Sequence, residues 1–454
     1  MRRPLLSFSN INILLVIILL INSNLIIAQI YVSADPYNTL RVEKKQFDGI
    51  LPMASNLFKP FFLNNNDSLN ISLDFVNEVY FNDNSPNQEN MDVRFFSKGQ
   101  SIFSSLKFTL NHKYLNFIIE PYIKFDNFYN TKAINRYGMF EVLNDYNVEN
   151  KNIKNLRNLL VFINYKGIGF GIQRGNRWWG PGLHSTLQMT NNTWPITSNL
   201  IGTINEIRLG KFGFSILHSI SELDDNNIEY KRYHTALNAQ FSWYGPIILT
   251  TGFSRNYLSG GILSTNGRRW TKNDASKLVF EGFLTNNLLK YDYTIGGHDW
   301  WDQTLSGYLS IILPDRNFKI YAEVGFNDNR MYFADLLSQP DHTMATIIGF
   351  RDYGKNLKNW VYGFEWTNMM ISYTIRHRKE SGTPAWYNRE LYGYSSYNGR
   401  RWGAHSGSDS DDWLLYVGYL SNNLHVVPAV NFERHGIVSN RPAEVKIELR
   451  FDIR

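Results

Sequence analysis

From Ile71 onward the chain consists of segments of about ten residues in which apolar and polar side chains alternate. The last segment is a clear case, because Ile447, Leu449 and Phe451 alternate with charged residues. A strand with this period has one apolar and one polar face. A strand tilted across a bilayer needs about 9–11 such residues, so the pattern predicts an all-β, antiparallel transmembrane barrel.

The connections between these segments fall into two length classes that alternate along the chain. Tight turns are predicted at 112–113, 166–167, 210–211, 245–246, 314–317, 367–368 and 421–423. Long connections are predicted at 126–156, 175–202, 222–232, 257–302, 327–357, 379–412 and 434–441, with 345–357 read as loop. Short turns at one rim and long loops at the other are typical of outer-membrane barrels, and less so of a soluble β-sandwich. This pattern gives sixteen strands.

Composition limits the classes of protein to which the chain can belong. Aromatic residues make up 15% of it and mean hydropathy is −0.32, as expected when half of each strand faces water and aromatic girdles mark the bilayer borders. The absence of cysteine excludes disulfides, thiolate metal sites, cysteine nucleophiles and a lipoprotein anchor. The net charge of +6 is spread along the chain, so no nucleic-acid partner is expected.

The N-terminus has the order of a secretory signal peptide. Arg2 and Arg3 precede an apolar stretch, and cleavage is predicted after Ala28, with Ala34 as the second choice. No later run reaches the roughly 18 apolar residues of a membrane-spanning helix. The predicted divisions are a signal peptide (1–28), an N-terminal segment with a short helix around 37–47 (29–70) and the barrel (71–454).

The stretch from 169 to 195 breaks the strand pattern abruptly. Residues 168–174 still alternate, but RWWGPG follows, and neither a helix nor a sheet ladder continues through a Gly-Pro-Gly turn. We interpret the motif as a structural corner, with ligand contact by its two tryptophans as the alternative. The motif residues are Trp178, Trp179, Gly180, Pro181, Gly182, Asn191 and Asn192.

This motif and several others resemble the capsule assembly protein Wzi family of outer-membrane barrels. The further pieces are Tyr321 with Glu323, Asn327-Asp328, Gly363 with Glu365 and Trp366, and GRRWGAHSGSDSDDW at 399–413. The resemblance implies an eighteen-stranded barrel with a helical N-terminal segment at its periplasmic mouth. We therefore predict 16–18 strands, with a further pair inside 257–302, where residues 276–283 and 288–295 form a hairpin or a helix.

The long connection at 379–412 is the richest in side chains that bind sugars. Aromatic rings stack on the C–H faces of sugars, and guanidinium groups pair with carboxylates. Their alternation predicts an exposed site for an acidic polysaccharide. The alternative is a folded loop whose rings and arginines stack on each other and occlude the lumen. The candidate binding residues are Trp386, Tyr392, Tyr394, Arg400, Arg401, Trp402 and His405.

The run SGSDSDD at 406–412 has the residue types of a metal site. Its oxygens are closely spaced but lack the ordered ligand spacing of a calcium loop, so we expect a solvated acidic turn and no metal. Ser406 or Ser408 with His405 and Asp409 has the residue types of a catalytic triad. Triads are assembled from separated positions, so neighbours in one loop are weak evidence for one.

Glu323 and Glu365 are a potential carboxylate pair for glycoside cleavage. Both lie in alternating segments and face the predicted lumen, where we expect carboxylates to pair with arginine. We therefore predict no catalytic residue and no enzymatic activity.

The resemblance implies a lectin-like protein of the cell outer membrane that attaches or assembles capsular polysaccharide or exopolysaccharide. Its expected partners are an acidic polysaccharide and outer-membrane lipid, and it is expected to act as a monomer without a cofactor. The first alternative is a porin-like diffusion channel, which an open lumen would favour. The second is an outer-membrane hydrolase.

Overall fold

The structure is a computed structural model of the chain. It describes residues 31–63, 69–82, 89–94, 99–128, 153–223, 230–261, 269–280, 301–327, 341, 343–370, 386–387, 395–397, 400–421, 424–435 and 443–453. The predicted signal peptide and the preferred cleavage position lie outside these residues. Ala34, the second choice for cleavage, is buried beside a short strand pairing inside the barrel.

Among the described residues, sixteen long strands form one antiparallel sheet that closes into a barrel, as predicted. They are β1 (Asn70–Asn82), β2 (Gly99–His112), β3 (Leu115–Phe128), β4 (Ile153–Tyr165), β5 (Ile168–Gly175), β6 (Ile196–Thr203), β7 (Phe212–Leu223), β8 (Arg232–Tyr244), β9 (Ile248–Gly260), β10 (Trp301–Leu313), β11 (Phe318–Asn327), β12 (Met344–Asp352), β13 (Trp360–Asn368), β14 (Ser410–Leu420), β15 (Leu424–His435) and β16 (Ala443–Ile453). A three-residue strand, Ile207–Leu209, also pairs with β7. Consecutive strands are neighbours in the sheet, which is the topology of an up-and-down barrel.

Alternation along each strand separates a lumen face from an outer face. On β11, Lys319, Tyr321 and Glu323 are buried, whereas Ile320 and Val324 are 44% and 39% exposed. Apolar side chains therefore point outward, as a bilayer requires, and polar side chains point inward. The inward side chains are buried because other parts of the chain fill the lumen.

The connections confirm the alternation of short and long lengths, but two predicted positions are wrong. Residues 345–357 are not a single loop, because 344–352 form β12 and only 353–359 turn back. Residues 367–368 are not a tight turn, because they end β13 and still pair with β12 and β14. The lumen-facing Arg351 obscures the strand pattern in the sequence, and its buried partner Glu43 lies about three hundred residues earlier.

The N-terminal segment packs inside the barrel at the rim of short turns. Helix α1 (Pro36–Phe47) occupies the predicted helical region, and Tyr31–Val32 pairs with Phe61–Phe62. Glu43 of α1 lies 2.8 Å from Lys319 Nζ and 3.2 Å from Arg351 Nε. Both cations lie close to short turns, so this ion-pair network fixes α1 at that rim.

Glu43 is ionised in this network. Burial alone would raise its pKa, but Arg351 and Lys319, with hydrogen bonds from Lys319 and Tyr353, outweigh burial and lower the pKa of Glu43 to about 2. The buried carboxylate is therefore charged over the physiological range, where two cations compensate it.

A second helix packs on the outer wall of the barrel. Helix α2 (Lys272–Lys277) begins with a capping box formed by Thr271 and Asp274, and a 3-10 turn, Leu278–Phe280, follows it. Ala275, Leu278 and Val279 cluster with Ile220, Leu237 and Tyr257 of β7 to β9. For residues 276–283 the sequence predicted either a hairpin or a helix, and residues 276–280 are helical. The rest of the predicted extra pair of strands lies outside the described residues.

Four further short elements complete the described structure. Two are strand pairings inside the lumen, Trp178–Trp179 with Phe58–Lys59 and Ser396–Tyr397 with Arg400–Arg401. The other two are the 3-10 turns Asp92–Arg94 and Pro314–Arg316.

No helix among the described residues is long and apolar enough to cross a membrane.

Candidate functional site

Residues 176–195, between β5 and β6, fold into the lumen, and we call them the inner loop. Trp178 and Trp179 are fully buried there. Trp178 Nε1 donates to the carbonyl of Gly182 at 2.9 Å, and Trp179 stacks on Phe58 with ring centroids 5.6 Å apart. The structure thus places both rings in an interior corner, where no ring face is open to a ligand.

Two glutamates on the barrel wall hold the inner loop. Glu365 on β13 accepts hydrogen bonds of 2.6–3.1 Å from the backbone N–H groups of residues 183–185 and one of 2.7 Å from the Tyr321 hydroxyl. Glu323 on β11 accepts from the N–H of Leu187 at 3.3 Å. The predicted pairing of these carboxylates with arginine is therefore wrong. The folded loop supplies backbone N–H donors to both carboxyl groups instead.

The Gly-Pro-Gly turn approaches these carboxylates too closely for a side chain. A Cβ at Gly182 would lie 1.8 Å from the carbonyl oxygen of Ser185 and 3.1 Å from Glu365 Oε1. Gly180 has a φ of +146°, and a Cβ there would lie 2.9 Å from Glu323 Oε2. Both positions therefore need glycine for the loop to reach the wall.

The asparagine pair of the motif joins the inner loop to two other buried segments. Asn191 Nδ2 donates to the carbonyl of Asn90 at 2.9 Å. Asn192 Nδ2 donates to the carbonyl of Arg401 at 3.2 Å. The motif asparagines therefore bind backbone groups of the chain itself.

The predicted exposure of the 379–412 connection is wrong for its described members. Residues 400–409 lie inside the barrel, where Arg400 donates to the carbonyl of Asp92, and the Trp402 ring stacks on His234 with centroids 4.3 Å apart. Trp386, Arg400, Arg401, Trp402 and His405 are 1–5% exposed. Tyr392 and Tyr394 lie outside the described residues. Rings and guanidinium groups suit a sugar and a polar barrel interior equally well, so composition alone could not separate the two.

The acidic run at 406–412 is also buried, so the predicted solvated turn is wrong. Asp411 accepts hydrogen bonds of 2.7 Å and 2.8 Å from the indole N–H groups of Trp366 and Trp413. Asp412 faces His405, and the two side chains are each 1% exposed. Asp412 thus belongs to the interior packing of the barrel, whereas Asp411 is covered on the outer face by Trp366 and by Trp413, which is itself 39% exposed.

The triad considered from the sequence is not assembled. The Ser406 hydroxyl accepts from Ser410 at 3.1 Å, and that of Ser408 donates to the carbonyl of Trp386. A different serine, Ser185, has its Oγ 3.5 Å from His405 Nδ1. Ser185 is fully buried, so it has no open face for a substrate.

One group of buried side chains has the chemistry of a metal site. His184, His405 and Asp412 place their ligand atoms within 4.8 Å of one another, and so do Glu89, His405 and Glu433. The sequence showed only the 405–412 part of this group. Its other members are His184 on the inner loop, Glu89 near Asp92 and Glu433 on β15. Only folding brings these residues together.

A second buried ion network was also missed from the sequence. Asp92 Oδ2 lies 2.7 Å from Arg157 Nη2, which belongs to β4, and Arg157 Nη1 lies 2.9 Å from Glu120 of β3. Arg94 joins the same network through Asp92 and through Asp35, which directly precedes α1. The sequence did offer one signal for this network, namely charged residues at strand positions that face the lumen.

No protein-family model matches the chain, and no curated protein matches it. Among solved structures, the chain is similar to Wzi of Escherichia coli, an outer-membrane protein involved in group 1 capsule assembly and described as a carbohydrate-binding β-barrel. The TM-score is 0.59 at 10% identity, over 94% of this chain and 91% of that one. The fold is that of an outer-membrane β-barrel. OprB of Pseudomonas putida gives a TM-score of 0.46 at 11% identity, over 85% of this chain and 94% of OprB.

Proposed function

We propose that this chain is an outer-membrane protein whose closed barrel presents a surface for extracellular polysaccharide and breaks no bonds. The observation that supports this proposal is the filled lumen. Helix α1 occupies the short-turn rim, and the inner loop and residues 400–409 occupy the interior beyond it. Buried carboxylates tie two of these three segments to the barrel wall.

The filled lumen argues against a diffusion channel, the main alternative. A solute crossing the barrel would have to displace Glu43 from Lys319 and Arg351, and the inner loop from Glu365. Breaking one buried ion pair costs about 3–5 kcal/mol. The cavity between α1 and the inner loop measures about 50 Å³, room for a few water molecules and not for a sugar.

Two arguments favour polysaccharide as the ligand. The solved structure with the higher TM-score is described as a carbohydrate-binding barrel, and its fold matches over 94% of this chain. The sequence also places Tyr392 and Tyr394 in the connection between β13 and β14, which leaves from the long-loop rim. With Arg400, Arg401 and Trp402 buried, these two tyrosines are the predicted stacking residues that lie outside the described residues, and we propose them as the sugar contacts.

The absence of catalysis is part of the same proposal. Glu323 and Glu365 are occupied by backbone N–H groups, and Ser185 and His405 are sealed from solvent. A general acid or nucleophile has to reach its substrate within hydrogen-bonding distance.

Two measurements on the purified barrel test the proposal. In planar bilayers we expect no large, steady conductance, and such openings would favour the channel. In a glycan-binding assay with acidic polysaccharide, Tyr392→Ala with Tyr394→Ala should weaken binding about thirtyfold, since each of the two stacking contacts contributes about 1 kcal/mol. Tyr165→Ala, which removes a 65%-exposed tyrosine at the short-turn rim, is the matched control. Equal binding by wild type, double variant and control would exclude these tyrosines.

A further inference from the structure

Four side chains from separate parts of the chain meet inside the lumen. His184 lies on the inner loop, His405 in the buried 400–409 segment, Asp412 on β14 and Glu433 on β15. The side chain of His184 is 11% exposed, and the other three are 1% exposed. Asp412 and Glu433 are direct cross-strand partners on the lumen face. Like charges opposite each other in a sheet destabilise it, so a cation is expected between them.

The separations among His184, His405 and Asp412 fit ligands of one ion, because their ligand atoms all lie within 4.8 Å of one another. His405 Nε2 lies 3.0 Å from Glu433 Oε1 and 3.3 Å from Asp412 Oδ2, and His184 Nε2 lies 3.5 Å from the same Oδ2. Nitrogen and oxygen ligands bind zinc at about 2.0–2.2 Å, so in a tetrahedral site they lie about 3.3–3.6 Å from one another. The observed distances lie in this range or close to it.

The contacts do not have the geometry of hydrogen bonds. His405 Nε2 and Asp412 Oδ2 are buried, and neither makes a hydrogen bond. The other polar atom of each side chain is engaged, since His405 Nδ1 lies 3.5 Å from Ser185 Oγ, and Asp412 Oδ1 accepts from Asn431 Nδ2 at 2.5 Å. Such outer contacts orient metal ligands and leave the inner atoms for the ion.

We propose that His184, His405 and Asp412 bind one divalent ion of the zinc class, through two imidazole nitrogens and one carboxylate oxygen, with the Glu433 carboxylate next to His405. Glu89 is a further oxygen donor near His405 and Glu433. Glu89 and His184 also line the cavity of about 50 Å³ beside α1. The ion joins the inner loop and the 400–409 segment to β14 and stabilises the closed lumen.

The test uses the full-length barrel in detergent, stripped with EDTA and titrated with Zn²⁺. The wild type should bind one equivalent, and His405→Gln and Asp412→Asn should each weaken binding at least about 100-fold. His112→Gln, which changes a histidine at the end of β2, should bind as the wild type does. Absence of stoichiometric binding by the wild type, or unchanged binding by folded His405→Gln, would overturn the proposal.

A measurement on the wild type alone decides the matter if the variants do not fold. Co²⁺ added to the stripped protein should give the intense visible absorption of a tetrahedral site, and Zn²⁺ should abolish it. A spectrum like that of aqueous Co²⁺ would overturn the proposal.

Discussion

Glu365 on β13 accepts a hydrogen bond of 2.6 Å from the backbone N–H of Ser185, a residue 180 positions earlier in the chain. The same carboxylate accepts from the two preceding N–H groups, so one wall side chain fixes a whole turn of the inner loop. The closed lumen depends on contacts of this kind, in which a strand residue holds a segment that enters the barrel.

Glu365→Gln should release the inner loop. An amide keeps one acceptor oxygen but places an NH₂ group against backbone donors, so we expect a loss of about 3 kcal/mol in the free energy of unfolding. Urea unfolding followed by heat-modifiable gel mobility measures this loss. Glu222→Gln, which changes a glutamate that is 41% exposed, should have little effect. Equal stabilities of the two variants would contradict the anchoring role of Glu365.

Gly182→Ala should prevent the inner loop from seating, because the new Cβ would lie 1.8 Å from the carbonyl oxygen of Ser185. We expect a loss of at least about 3 kcal/mol and less folded barrel. In Gly307→Ala the nearest atom to the added Cβ is 3.9 Å away, so this variant of a strand glycine is the control. Folded yield after refolding into detergent compares the two. A normal folded yield of Gly182→Ala would mean that the turn accommodates the added Cβ without loss of stability.

The seating of α1 should depend on pH below the physiological range. The pKa of Glu43 falls from 4.5 to about 2 on folding, so the ionised carboxylate stabilises the folded chain fully above pH 4.5. This contribution, roughly 3 kcal/mol, is lost as pH falls from 4.5 toward 2. Amide hydrogen exchange of α1 should therefore accelerate in this window. Glu43→Gln should exchange faster at pH 7 and respond less to acid.

The two rims should face opposite sides of the outer membrane. The chain has no cysteine, so single cysteines report position without background. Lys231→Cys lies at the long-loop rim, where the native side chain is 65% exposed, and should react with an impermeant maleimide on intact cells. Lys355→Cys lies in the exposed turn between β12 and β13 and should react only after permeabilisation. The opposite pattern would reverse the predicted orientation.

The sequence by itself determined the barrel. Period-two alternation depends only on which side chains face lipid and which face the lumen, so strand direction and the two rims could be predicted, with a strand number of 16–18. The exception was β12, where Arg351 occupies a lumen position. A buried cation at this position can be predicted only when its partner Glu43 is known to lie beside it, because an unpaired buried charge is strongly destabilising.

The tertiary structure alone decided what fills the lumen. Arg400, Arg401 and Trp402 have the composition of an exposed sugar site, yet Arg401 and Trp402 contact the inner loop and Arg400 contacts Asp92. Glu365 meets backbone donors, and His184 meets Asp412, across separations of about 180 and 230 residues in sequence. Local patterns carry no information on such partners, because a polar side chain in a lumen is satisfied by whichever segment folds against it.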